Sequence, residues 1–150
     1  MSLIIRAESP LTEDAAKLIE GSEAALREHY TADECFSFDA AQLATPETHF
    51  WVARNDGVAV GCVAMVNCGD YGEIKRLFVP HRARGLGVAK ALMDALETEA
   101  ASQGLPVVRL ETGDKLVAAV ALYEARGYVR RGPFADYEDI PASMFMEKRL

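Results

Sequence analysis

The segment EIKRLFVPHRARGLGVAKALMDALE, residues 73–97, restricts the fold more than any other part of this 150-residue chain. It predicts a strand over residues 73–79 that stops at Pro80, which has no N–H to give to a ladder. A glycine-punctuated basic turn follows, and then a helix over residues 88–103. Val88, Ala91, Leu92, Ala95 and Leu96 recur at helical spacing and form one apolar face, and Gly104 is the expected C-terminal stop. A strand that enters a helix through Arg82-x-x-Gly85-x-Gly87 gathers unpaired backbone N–H groups and the positive end of a helix dipole at one point. Gly85 and Gly87 let the backbone approach a ligand with no Cβ in the way. Arg82, Arg84 and Lys90 stand around the same point.

Between Ile74 and Lys90 there are five Lys or Arg residues and no Asp or Glu, in a chain with 23 acidic and 16 basic residues and a formal net charge of -7. This reversal of sign predicts a local site for a small anion such as a pyrophosphate. The acidic whole argues against general affinity for nucleic acid or an anionic membrane. The Walker spacing and the G-x-G-x-x-G dinucleotide pattern are both absent. A nucleotide- or phosphosugar-binding protein is thereby disfavoured. A helix start with solvated arginines fits the same residues.

The length suits one domain, residues 1–150, with no repeat or linker to divide it. Cys35, Cys62 and Cys68 are an odd number without CxxC spacing, and the opening MSLIIRAESP lacks a signal-peptide pattern. Both features fit a reducing cytoplasm. No apolar run approaches the roughly 20 residues of a membrane span. His29, His49 and His81 lack metal-ligand spacing, so no metal is expected.

Along the chain, a short opening strand precedes Ser9-Pro10, which predicts a helix N-cap with proline in the first turn and a helix to about His29. A short helix over residues 39–43 is expected next. Residues 49–54 and 58–66 flank Asn55-Asp56-Gly57 and predict a hairpin. Residues 107–111 predict a strand, 115–126 a helix closed by Gly127, and 128–130 and 143–148 two final strands. The order is β-α-(α)-β-β-β-α-β-α-β-β, an α+β domain on a mixed sheet.

Residues 73–97 together with ALYEARGY, residues 121–128, resemble the GCN5-related N-acetyltransferase (GNAT) superfamily. The first stretch matches its strand, R/Q-x-x-G-x-G/A loop and helix, and the second its L-Y-x-x-x-G-F/Y segment. The tail GPFADYEDIPASMFMEKRL, residues 132–150, is similar to a subgroup of small bacterial-type members. The resemblance implies a mostly antiparallel sheet that splays between strands 73–79 and 107–111, flanked by helices, with acetyl-CoA as the acyl donor in the gap. Leu77, Phe78 and Val79 would lie along the pantetheine arm, with Leu77 and Val79 pairing to it like an added strand. The turn and helix start, Arg82, Arg84, Gly85, Leu86, Gly87, Val88, Ala89 and Lys90, would hold the pyrophosphate. Leu116 stands where many members carry an asparagine, which removes one polar contact to that arm.

Acetyl transfer to an amine needs a neutral nucleophile, donors for the developing oxyanion, and a proton for the thiolate. By resemblance, Glu73 is the candidate base, acting through water, with Glu111 on the neighbouring strand as the second candidate. Tyr123 is the candidate acid, and the Val79 N–H the candidate oxyanion donor. Solvent-facing Glu73 and a merely packed Tyr123 are the structural alternatives. Phe36, Phe38, Phe50 and Trp51 could wall a substrate pocket, although Trp51 at strand spacing favours a core position. Residues 7–40 hold nine acidic and two basic residues. Facing a cleft, they would attract a cationic acceptor; on a solvated helix they would not. The expected function is N-acetylation of a small-molecule amine, amino acid or peptide by direct attack. The alternative is a non-catalytic acyl-CoA-binding or sensing module. A homodimer through the C-terminal strands is compatible with the fold.

Overall fold

The structure, a computed structural model, describes residues 2–150. One seven-stranded sheet carries the order β1-β2-β3-β4-β5-β7-β6. Its strands are β1 (Leu3–Ala7), β2 (Thr48–Asn55), β3 (Val58–Asn67), β4 (Gly72–Phe78), β5 (Val107–Gly113), β6 (Val129–Arg131) and β7 (Ser143–Arg149). The helices are α1 (Glu13–Arg27), α2 (Ala40–Leu43), α3 (Val88–Ser102) and α4 (Val117–Ala125). Every pairing is antiparallel except β4 with β5. The expected α+β architecture on a mixed, mostly antiparallel sheet is therefore the observed one. Among the described residues no helix is long and apolar enough to cross a membrane.

The β2–β3 hairpin turns on Asp56 and Gly57, both with positive φ, 49° and 86°. A tight primed turn needs that pair of left-handed residues. The first helix starts later than expected. Thr12, not Ser9, is its cap: the Thr12 hydroxyl accepts from the Ala15 N–H at 3.1 Å, while the Ser9 hydroxyl accepts only from Leu11 N–H outside the helix. The Ser9-Pro10 pair makes a turn, and Glu13 and Asp14 supply the acidic first turn that the helix dipole favours. Helix α4 is likewise shorter than residues 115–126, opening at Val117 with Leu116 as an N-cap that offers no side-chain acceptor.

Two apolar clusters cover the two faces. Val88, Leu92, Met93, Leu96 and Ala100 of α3 pack on Val63, Met65, Ile74, Val108 and Leu110. On the other face Ala15, Leu18 and Ile19 of α1 and Leu43 of α2 pack on Phe50, Val52, Cys62 and Ala64. Trp51 and Cys62 are core residues, 7% and 0% exposed. Glu97 of α3 ties the helices to the sheet end. It accepts from Arg126, from Tyr128 at 2.9 Å and from Lys148 at 2.8 Å. Burial works to raise its pKa, but these donors outweigh burial and hold the carboxyl below its usual range.

The parallel join that positions the site is short. Strands β4 and β5 pair only at Gly72 with Val108 and Glu73 with Arg109, and then diverge. The register of β3 against β4 also shifts between Cys62 and Ala64, opposite Arg76, which has φ 56°. This irregularity bends β4 where it leaves β5, and the splay opens beyond it.

Candidate active site

Two cavities meet in the splay. The larger, about 600 Å³, has Leu77, Phe78, Val79, Arg84, Gly85, Gly87, Val88, Ala89 and Lys90 on one wall. Lys115 to Ala119 and Leu122 form the other wall, with the end of α1 above. The smaller, about 110 Å³, lies deeper and is lined by Phe36, Lys75, Arg76, Glu111, Thr112 and Tyr123 among others. Ser22, Leu26, Leu77, Leu116 and Ala119 line both, so the two spaces adjoin.

The outer cleft is built by the strand–turn–helix unit. Pro80 leads into a single 3-10 turn, His81–Ala83, and α3 starts at Gly87. Gly85 and Gly87 have φ 81° and 76°, in the left-handed region, and a Cβ built on either would meet nothing within 4 Å. The space over these glycines is thus open, and the first N–H groups of a 15-residue helix face it.

The basic residues of this stretch divide. Arg84 and Lys90 line the cleft. Arg82 turns the other way and reaches the Ala59 carbonyl at 3.3 Å, and Leu86 points to solvent, 41% exposed. Lys75 and Arg76 are buried at the inner cavity, bonded to the Phe36 and Phe38 carbonyls. The sign reversal seen in the sequence therefore overcounts the anion site, because the irregular backbone at Arg76, φ 56°, lets two consecutive cations turn into the interior together.

The inner cavity is organised by alternation on two strands. Glu73 and Lys75 on β4, and Arg109 and Glu111 on β5, share one face. The Lys75 ammonium contacts Glu73 at 3.1 Å, the Phe36 carbonyl at 3.0 Å and the Tyr137 hydroxyl at 2.6 Å. Tyr137 in turn donates to Glu73 at 2.5 Å. Phe36, Phe38, Phe134, Tyr137 and Phe145 close over this polar row. Glu73 is consequently sequestered at 7% exposure and does not line the inner cavity.

Glu111 does line it. One carboxylate oxygen accepts from the Ser143 hydroxyl at 2.8 Å. Burial pushes its pKa up; Ser143 and Lys75 pull against that, and Glu73 adds to it. Tyr123 is 5% exposed, and burial, with a smaller contribution from Glu111, raises its hydroxyl well above the ordinary tyrosine range. That hydroxyl stays protonated at neutral pH and borders the same cavity as Glu111.

Lys75, Tyr137 and Ser143 were not anticipated as site residues. For Lys75 the signal was available in its alternation with Glu73. Tyr137 and Ser143 come from the loop before β7 and its first residue, and no local pattern announces them.

Comparison with known proteins agrees with this geometry. Residues 13–128 match the Acetyltransferase (GNAT) family. The chain is 40% identical over 151 residues to an IAA acetyltransferase of Azospirillum brasilense, covering 99% of each. It resembles a Klebsiella pneumoniae crystal structure described as an acyl-CoA N-acyltransferase, with TM-score 0.88, 33% identity and coverage of 99% and 97%. A Thermoplasma acidophilum paia N-acetyltransferase, solved with coenzyme A, shares the fold at TM-score 0.80 and 18% identity, with 100% of both chains covered. The chain is an acyltransferase and belongs to the Acetyltransferase (GNAT) family.

Proposed function

We propose that this protein transfers an acetyl group from acetyl-CoA to a primary amine by direct attack within a ternary complex. The observation that carries the reading is the junction of the two cavities. The glycine turn opens the outer one, and the inner one is lined by the Glu111 carboxylate and the Tyr123 phenol among its polar groups. The open space over Gly85 and Gly87, with Arg84 and Lys90 beside it, fits a pyrophosphate. Leu77, Phe78 and Val79, past the end of the β5 pairing, fit an extended pantetheine arm. Val117, 73% exposed at the mouth, gives the arm an apolar wall in place of the polar contact that Leu116 lacks.

In this reading Glu111 accepts the proton of the attacking ammonium, directly or through one water. Its raised pKa brings it closer to the operating pH, which favours a base. Glu73, offered first as the base on sequence grounds, acts instead as the fixed counter-ion of Lys75, since its carboxylate already holds Tyr137 and Lys75. Tyr123 gives its proton to the departing sulfur, and the Val79 N–H serves the developing oxyanion.

The test is thiol release from acetyl-CoA over a panel of primary amines, with Glu111→Gln and Glu73→Gln beside the wild type. Glu111→Gln is expected to lower kcat by about 100-fold or more, with acetyl-CoA affinity retained. Tight CoA binding with no thiol release for any amine would instead favour a binding or sensing module.

A further inference from the structure

We infer that the inner cavity selects a compact amine bearing no carboxylate beside its nitrogen. The inference rests on the acetyltransferase reading and names the acceptor class for the same site.

It follows from how the charges around the cavity are used. An ammonium has three donors; Lys75 gives two to the Phe36 carbonyl and Tyr137 and is paired with the Glu73 carboxylate at 3.1 Å. The Arg76 guanidinium, 1% exposed, donates to the Phe38 carbonyl at 2.8 Å, to Ser22 at 3.1 Å and to Glu23. Both cations on the wall are therefore neutralised and turned inward. Glu111 and Glu34 also line the cavity, and among the described residues neither forms a salt bridge. Glu34 is engaged at the Thr31 N–H, and Glu111 at Ser143 alone.

An entering ammonium meets an unpaired carboxylate. An entering carboxylate finds no free cation and faces like charge, which disfavours it at a desolvated contact. Titratable groups face Glu111 from each packed element. Burial raises Tyr30 of the α1 end, Cys35 of the following loop, Tyr123 of α4 and Tyr137 of the β7 approach, and the Glu111 charge adds to each. Lys75 and Glu73 of β4 face it as a paired cation and anion. Leu26, Phe36, Leu77 and Leu110 supply the apolar remainder, and about 110 Å³ limits the size of the group admitted.

The experiment uses matched pairs that differ by one carboxylate: 2-phenylethylamine against phenylalanine, and 3-methylbutylamine against leucine. Binding to the CoA-loaded protein is measured by calorimetry, and turnover by thiol release. At least one amine is expected to bind with a Kd roughly tenfold or more below that of its amino acid, and to be used with a kcat/KM roughly tenfold or more above it. In Glu111→Gln the gap in Kd is expected to shrink severalfold. Equal or better use of the amino acids overturns the inference, as does failure of all four to bind while CoA itself binds. If CoA does not bind, the acetyltransferase reading falls first, and the acceptor class with it.

Discussion

Lys75 and Glu73, two residues apart on β4, form a 3.1 Å ion pair whose side chains are 8% and 9% exposed, and Tyr137 bonds to both. Lys75 lines the inner cavity and Glu73 lies behind it, and through Tyr137 the pair connects β4 to the loop that precedes β7. It fixes where charge can and cannot be offered to an acceptor.

Breaking that pair from one side is expected to be severe. Lys75→Met leaves Glu73 buried without its cation, a change worth about 3–5 kcal/mol. At roughly 2–4 °C for each kcal/mol in a chain of this size, the melting temperature should drop on the order of 10 °C. Glu73→Leu combined with Lys75→Met should recover part of the loss. A melting temperature unchanged in Lys75→Met would mean that the pair contributes nothing.

Ser143 is expected to tune Glu111. Its hydroxyl stabilises the ionised carboxylate and so lowers a pKa that burial has raised. Ser143→Ala removes that effect, so the carboxyl stays protonated to higher pH. The acidic limb of kcat/KM should move up, while the plateau at high pH changes little. A limb that stays in place, or moves down, contradicts the assignment of Glu111 as base.

The Tyr123 hydroxyl is held protonated by burial. Tyr123→Phe should lower kcat by about 100-fold or more and leave the KM for acetyl-CoA near its original value. In the wild type no basic limb from this residue is expected below about pH 10. Full turnover in Tyr123→Phe across pH would remove its role as acid.

The architecture was largely legible because its signals are local. Asp56-Gly57 can only be turned one way at a hairpin, and Pro80 followed by Gly85 and Gly87 marks the end of a strand and the start of a helix. Helix ends were less so. Ser9, Pro10 and Thr12 all carry capping chemistry, and which one caps depends on where α1 meets its sheet. The site was legible in part. Tyr123 and Glu111 stand out in the sequence and both line the inner cavity, whereas the sequestering of Glu73 leaves no trace in it. The partner that sequesters Glu73 is Tyr137, 64 residues away, brought near only by the β5–β7 pairing. The five cations between Ile74 and Lys90 could not be apportioned without knowing which side of β4 each side chain leaves.

Gly87 separates ligand effects from folding effects. Its φ of 76° would strain an alanine by roughly 1–2 kcal/mol, yet nothing in the protein lies within 4 Å of the new methyl. Gly87→Ala should therefore cost only a few degrees of melting temperature. It should weaken CoA binding by roughly tenfold or more, because the methyl enters the space left for the pyrophosphate. Unaltered CoA affinity would show that the turn is not the phosphate site.

The central claim, that the splay between β4 and β5 is an acyl-CoA site, is tested most directly by thermal shift with acetyl-CoA, CoA, ATP and NAD at matched concentration. At 100 times its dissociation constant a ligand adds about 2.7 kcal/mol, worth several degrees here. The account predicts clear shifts with acetyl-CoA and CoA and none of comparable size with ATP or NAD. Equal shifts with all four, or no shift with CoA, would contradict it and reduce the glycine turn to a generic anion patch.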